Sequence, residues 1–280
     1  MKLTVIDTGN FKLDGGAMFG VVPKSIWQNL NPADENNMCN WAMRCLLVED
    51  GNRLILIDTG IGQKQSDKFY GYYYLNGNNS LSKSLHKAGV DFKDITDVLL
   101  THLHFDHCGG AVKWNQNRDG YEPAFPNATY WSHPEHWNHA LHPNVREKPS
   151  FLEENIMPIS QSGQLKFIPD DLKLTDTIEM LLANGHTEKM MCPKLKIGDK
   201  TLVYMADMIP SVAHIPVNYV MGYDIRPLQV MEEKAAFLKE AVDNNYILFF
   251  EHDRSIECAT VGMTEKGIKV ARTGMLSEFI

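Results

Sequence analysis

Short apolar runs bounded by Gly, Asp or Asn recur along the chain, at 2–6, 41–48, 53–57, 97–101, 129–132, 202–206 and 246–250. Each reads as a β-strand. Two segments between them have helical spacing. Segment 80–88 opens on a serine cap, Ser80, and closes before Gly89. Segment 227–244 carries Leu228, Met231, Ala235, Leu238 and Val242 at three-and-four spacing with charges between, which predicts one core-facing stripe. A third helix is expected from Ser132, because Ser132 and Glu135 have the spacing of a capping box. Strands and helices are mixed through both halves, with no repeat, low-complexity tract or linker. The pattern predicts an α/β protein with sheets covered by helices, as one domain over 1–280.

One of these runs leads into a concentration of ligand-type side chains. The segment reads Asp97-Val-Leu-Leu-Thr-His102-Leu-His104-Phe-Asp106-His107-Cys-Gly-Gly110. In extended chain, alternate residues face one side, so His102 and His104 can point at a common spot. Asp106 and His107 are adjacent, so a turn is needed to bring both inward. Gly109 and Gly110 permit close backbone packing just beyond. Neutral imidazoles and a carboxylate suit zinc, iron or manganese. A lone histidine would carry little weight; four ligand-type residues at the end of an apolar strand point to metal.

This segment resembles the His-x-His-x-Asp-His motif of the metallo-β-lactamase superfamily. Three further residues stand in the order that family requires: His186 in Asn184-Gly-His-Thr187, Asp207 after Leu202-Val-Tyr-Met-Ala, and His252 after Ile247-Leu-Phe-Phe-Glu. The resemblance spans roughly residues 40 to 255, and Asp58 in Leu54-Ile-Leu-Ile-Asp58-Thr-Gly60 matches the family's early aspartate. It implies a four-layer αββα sandwich of two similar halves and a site for two divalent ions. His102, His104 and His186 would hold one, Asp106, His107 and His252 the other, and Asp207 would bridge them. Asp58 would fix the ligand loop by hydrogen bonding. Zinc is the first expectation; iron and manganese also suit these donors. The implied chemistry is hydrolysis, in which a metal-activated hydroxide attacks a carbonyl or phosphoryl centre. Asp106 would orient the nucleophile or pass a proton.

Within the family, the block Leu13-Asp-Gly-Gly-Ala-Met-Phe-Gly-Val-Val-Pro23 and the stretch Asp207-Met-Ile-Pro-Ser-Val-Ala-His214 look like the subgroup of N-acyl homoserine lactonases and methyl-parathion-type hydrolases. Lactonases often place a Tyr three residues beyond the bridging aspartate, where this chain has Pro210. The expected substrate is a small ester, lactone or phosphotriester. A glyoxalase II-like thioester hydrolase is an alternative, although Lys189 and Met190 replace the Gly and His of its Gly-His-Thr-x-Gly-His pattern. An iron-dependent oxidoreductase of the same fold, persulfide dioxygenase-like, is another. His214 is a second catalytic candidate, as proton donor or orienter, and Met18 and Phe19 are candidates for a pocket wall. His133, His136, His139 and His142 recur every three residues, but on a helix successive members drift by about 60° and cannot all converge. That segment reads as a surface helix or lid.

Composition narrows the partners. There are 27 Lys and Arg against 35 Asp and Glu, a net charge of −8. Such a chain is a poor default binder of nucleic acid or anionic membrane. No apolar run reaches the length of a membrane span, and the first residues lack the apolar core of a signal peptide. Five cysteines without a Cys-x-x-Cys suit reduced thiols, and so a cytoplasmic protein. A small-molecule substrate is the expected partner. Aromatics near the N-terminus and in 69–75 would suit contact in a homodimer.

Overall fold

The computed structural model describes residues 1–280. The chain divides into two compact units, each assembled from two stretches: residues 1–9 with 43–170, and residues 10–42 with 171–280.

The first unit is organised on a six-stranded sheet. Its strands are β1 (Lys2–Asp14), β2 (Met38–Asp50), β3 (Arg53–Ile57), β4 (Asp97–Leu99), β7 (Thr129–Ser132) and β8 (Leu165–Phe167), paired in that order. Residues 10–14 of β1 and 38–42 of β2 belong to the second unit. A separate ribbon pairs β5 (Val112–Trp114) with β6 (Tyr121–Pro123). β2 and β3 form an antiparallel hairpin around Gly51, whose φ of 60° suits glycine. From β3 onward the pairs β3–β4, β4–β7 and β7–β8 are parallel. Parallel strands need crossovers: the helix Leu81–Lys87 lies between β3 and β4, the short helix Phe105–Cys108 and the β5–β6 ribbon between β4 and β7, and the helices Pro134–Leu141 and Glu153–Gln161 between β7 and β8. β3 and β4 are mostly apolar and buried toward their C-terminal ends, as strands covered by helices are. Leu56, Val98, Tyr130, Phe125, Trp137 and Ile159 belong to one buried core. Parallel pairing also brings the C-terminal ends of β3 and β4 side by side, where an α/β sheet presents functional side chains. Asp58 and the segment Thr101–His107 leave from those ends.

The second unit carries a seven-stranded sheet in the order β15-β14-β13-β12-β11-β10-β9. These strands are β9 (Lys173–Thr175), β10 (Ile178–Ala183), β11 (Met190–Ile197), β12 (Lys200–Tyr204), β13 (Ile247–Phe249), β14 (Cys258–Thr264) and β15 (Gly267–Gly274). All neighbouring pairs are antiparallel except β12–β13. The helix Pro227–Asp243 provides the crossover between those two and packs on β14 and β15. Their register aligns Tyr204 with Phe249. Asp207 and His252 each stand three residues beyond that pair, so one register delivers both to the same sheet edge.

The fold is therefore mixed α/β with helices flanking sheets, as the hydrophobic pattern predicts. Two local expectations change. The helix expected from Ser132 begins at Pro134, with His133 as its cap. Proline favours the first helical position and holds the residue before it extended, so Ser132 stays in β7. The buried face of Pro227–Asp243 is Val230, Lys234, Phe237, Leu238 and Ala241, and Leu228 is 74% exposed. That face has helical spacing too, but it was hidden by a lysine in its middle. Lys234 is tolerated because its Nζ donates to the carbonyls of Pro216 and Tyr219 at 3.0 and 2.7 Å. The four-histidine segment is, as expected, a surface helix, with Pro134, Glu135, Asn138 and Leu141 exposed and His136 and Trp137 buried on its inner face. No helix is long and apolar enough to cross a membrane.

Candidate functional site

In the first unit, His102, His104, Asp106 and His107 follow β4 and are all buried. A one-turn helix, Phe105–Cys108, supplies the bend that adjacent Asp106 and His107 require. His102 Nε2 lies 3.1 Å from His104 Nδ1, the His102 and His107 ring centres are 3.9 Å apart, and His107 Nε2 lies 3.8 Å from an Asp106 oxygen. The loop is pressed against the segment after β3. Gly62 has φ 73°, and a Cβ on Gly109 would come within 2.2 Å of the Ile61 carbonyl oxygen. Gly109 and Gly110, just after His107 and Cys108, are thus required by close backbone approach.

Asp58 ties this loop together. It accepts from Thr101 N at 2.8 Å and from Thr101 Oγ1 at 2.7 Å, and its Oδ2 lies 3.3 Å from His107 Nδ1. Thr101 Oγ1 gives its proton to this carboxylate, so it accepts from His102 Nδ1 at 3.1 Å.

In the second unit, Asp207 stands between two imidazoles. Its Oδ2 is 3.1 Å from His186 Nε2 and its Oδ1 is 3.2 Å from His252 Nε2. His186 Nδ1 is 2.9 Å from Asp224 Oδ1. His252 Nδ1 is 2.8 Å from the Ala42 carbonyl. A carbonyl and a carboxylate only accept, so both Nδ1 atoms carry the proton. Each Nε2 then faces the Asp207 carboxylate with a lone pair.

The donor chemistry of both units fits metal. His102, His107, His186 and His252 each present a protonated Nδ1 to a protein acceptor and leave Nε2 as an unprotonated donor atom. Imidazole ligands to metal are oriented in this way. A buried imidazole lone pair set against a carboxylate oxygen at 3.1 Å is repulsive unless a cation or a proton lies between them. Two such contacts on one carboxylate suit a bridging ligand.

Several supporting groups were not legible in the sequence. Glu147, 3% exposed, accepts from His139 Nε2 at 2.8 Å, and its other oxygen lies 3.9 Å from His104 Nε2. His136 Nε2 accepts from Leu103 N at 2.9 Å, inside the ligand segment. Two of the four regularly spaced histidines therefore brace that segment from the far side. Asp224 stands 38 residues from its partner His186. No spacing rule marks it, or Glu147.

Phe105, between His104 and Asp106, packs edge-on to Phe69 at 5.4 Å and against Tyr73 at 4.7 Å. This makes an apolar wall beside the first-unit histidines. Burial, with the charge of Asp106, pushes the Tyr73 hydroxyl up to about 12. The neighbouring Tyr72, Tyr74 and Leu75 face solvent.

His214 is wholly enclosed in the second unit. Its Nδ1 is 2.7 Å from Ser211 Oγ and its Nε2 is 2.9 Å from the Met18 carbonyl. Its ring stacks on Phe19 at 4.6 Å. Burial depresses its pKa to about 3, so it is neutral across the physiological range. Met18 and Phe19 are both buried and pack around it. The Cys108 thiol is held by the Leu103 carbonyl at 3.2 Å and pushed by burial up to about 12, which leaves it inert.

A family model described as the Metallo-beta-lactamase superfamily matches residues 44–252. An N-acyl homoserine lactonase of Bacillus cereus is 24% identical over 283 residues, covering 96% of each chain. One from a Bacillus species is 22% identical over 266 residues, covering 90% of this chain and 93% of the relative. Among solved structures, a probable metal-dependent hydrolase from Staphylococcus aureus superposes with a TM-score of 0.87 at 28% identity, covering 97% and 95% of the two chains. AidC, a dizinc quorum-quenching lactonase in complex with a product, gives a TM-score of 0.80 at 23% identity, covering 98% and 95%.

Proposed function

The chain belongs to the metallo-beta-lactamase superfamily and is a metal-dependent hydrolase, and from that premise we propose that it opens a lactone through a pair of divalent ions. The observation that carries this is Asp207, which offers one oxygen to His186 and the other to His252. In the proposed ligand set, His102, His104 and His186 hold one ion and Asp106, His107 and His252 the second. Asp207 serves both, since the two histidines it faces belong to different ions. Zinc is the proposed metal; AidC is described as a dizinc enzyme, and imidazole with carboxylate suits zinc.

When bound, the ions supply Lewis acidity and a water that ionises near neutral pH. The protein's own groups do the rest. Asp224, Asp58, Thr101 and the Ala42 carbonyl keep the outer imidazole protons, so the ligating nitrogens stay available. Asp106 is the proposed acceptor of the nucleophile's proton. Tyr73, which stays protonated, is the proposed donor to a substrate oxygen. It would take a role that Pro210 cannot fill. Phe105 and Phe69 would meet the apolar part of the substrate. His214, with both nitrogens engaged, is proposed to position the Met18–Phe19 segment and not to move a proton.

A lactone is preferred to an aryl ester or a phosphotriester because relatives similar over most of this length are N-acyl homoserine lactonases. The five cysteines are all free and buried, which supports a reducing compartment such as the cytoplasm. The test is a panel of lactones, aryl esters, thioesters, β-lactams and phosphotriesters assayed with zinc-loaded protein. N-acyl lactones should give the highest kcat/KM, and preference for any other class would overturn the substrate assignment.

A further inference from the structure

The second unit holds a cavity of about 400 Å³ that none of the seven ligand side chains lines. This is within the usual range for a small-molecule site, roughly 300–1,000 Å³. It is bordered by residues 29–31, 211–213, 215–216, 253–256 and 268–270. Leu30, Ile215, Ile256, Ile268 and Val270 make its walls largely apolar. Two cations, Arg254 and Lys269, line the same space, and neither forms an ion pair with the protein.

The one acidic group at this site, Asp253, is already occupied. Its Oδ2 accepts from Val212 N at 3.1 Å, and its Oδ1 accepts from Ser255 N and Ile256 N at 3.0 and 2.9 Å. Backbone donors therefore hold its charge, and the two cations remain for a ligand. Asn31 also lines the cavity; it is 4% exposed, and its Oδ1 has no hydrogen-bond partner. A buried amide left unsatisfied is uncommon unless something outside the chain completes it. The molecule is acidic overall, so two unpaired cations on one apolar hollow are a local departure from its charge.

We propose that this cavity binds a small amphipathic carboxylate, its apolar chain against Ile256, Ile268 and Val270 and its head group on Arg254 and Lys269. The site is separate from the metal ligands, yet it rests on the loops that follow Asp207 and His252. Those loops are stapled by the Val212–Asp253 bond.

The test is calorimetric titration of the metal-loaded full chain with sodium octanoate, beside acetate and octan-1-ol as probes lacking the tail or the charge. Octanoate should bind saturably at one site, and both controls should bind at least about tenfold more weakly. The R254E/K269E double variant should weaken octanoate by about tenfold or more. Ala213→Trp, which fills the cavity without changing charge, should do the same. Carboxylate binding at the metals would be untouched by these changes. Absence of saturable binding overturns the proposal, and so does octanoate affinity that is equal in the wild type and in both folded variants.

Discussion

Asp224 accepts a hydrogen bond from His186 Nδ1 at 2.9 Å, and that bond turns the other ring nitrogen onto Asp207 at 3.1 Å. The same carboxylate accepts from Met221 N at 2.8 Å through its second oxygen, which fixes its own orientation. Asp224 thus sets both the tautomer and the direction of a proposed ligand. Asp224→Ala should weaken metal binding by about 10- to 100-fold, as removal of such partners does elsewhere. Competition with a chelator of known affinity measures it. Unchanged affinity would show that His186 is held by other means.

Asp58 performs the matching service in the first unit, with three donors converging on one buried carboxylate. Asp58→Ala strands the Thr101 donors and frees the His107 ring. The expected cost is about 2–4 kcal/mol in folding stability, read by denaturant unfolding, together with faster metal loss. A variant as stable as the wild type would remove Asp58 from this role.

Gly109 tests the packing of the ligand loop. Its Cβ position lies 2.2 Å from the Ile61 carbonyl oxygen, and backbone cannot swing aside as a side chain can. Gly109→Ala should cost about 2–3 kcal/mol and should lower metal occupancy, since Asp106 and His107 sit just ahead of it. Gly51→Ala, in open space at a turn with φ 60°, should cost less and leave the metals in place.

Much of this was readable in the chain because it depends on local pattern. Arg53–Ile57 and Thr129–Ser132 match the expected strands at full length, the first as an apolar run with Ile55, Leu56 and Ile57 buried, the second as a short β-prone run whose burial alternates. The ligand segment was equally plain, with four donor side chains in six positions. β5, β6, β8, β9, β10, β11, β14 and β15 have no counterpart among the expected strands. β15 is mostly exposed and polar, so its sequence carries no apolar run. Asp224, Glu147 and His136 were missed for a different reason. Asp224 and His136 act through bonds to residues 38 and 33 positions away, and Glu147 through His139 and a 3.9 Å approach to His104, and nothing in their neighbours announces those contacts. The core stripe of Pro227–Asp243 was misplaced because Lys234 is buried, which residue type alone argues against.

Lys234 also carries a pH dependence. Burial depresses its pKa to about 7, against an ordinary value of 10.5. Between those values the unfolded chain binds the proton and the folded chain does not, so stability should rise with pH from about 7 to 10.5. Lys234→Met should flatten that rise in thermal melts, whatever its effect on absolute stability. His214 acts with the same sign at lower pH. Its pKa is depressed from 6.5 to about 3, so stability should fall as pH drops through that window. A Lys234→Met variant with the wild-type slope above pH 7 would contradict the assignment.

The most direct test of a shared carboxylate is metal stoichiometry in Asp207→Ala. Mass spectrometry of dialysed protein should find two divalent ions per chain in the wild type. The variant should retain one or none and should no longer hydrolyse lactones. Full retention of both ions by the variant, or undiminished hydrolysis by the wild type in excess chelator, would contradict the account.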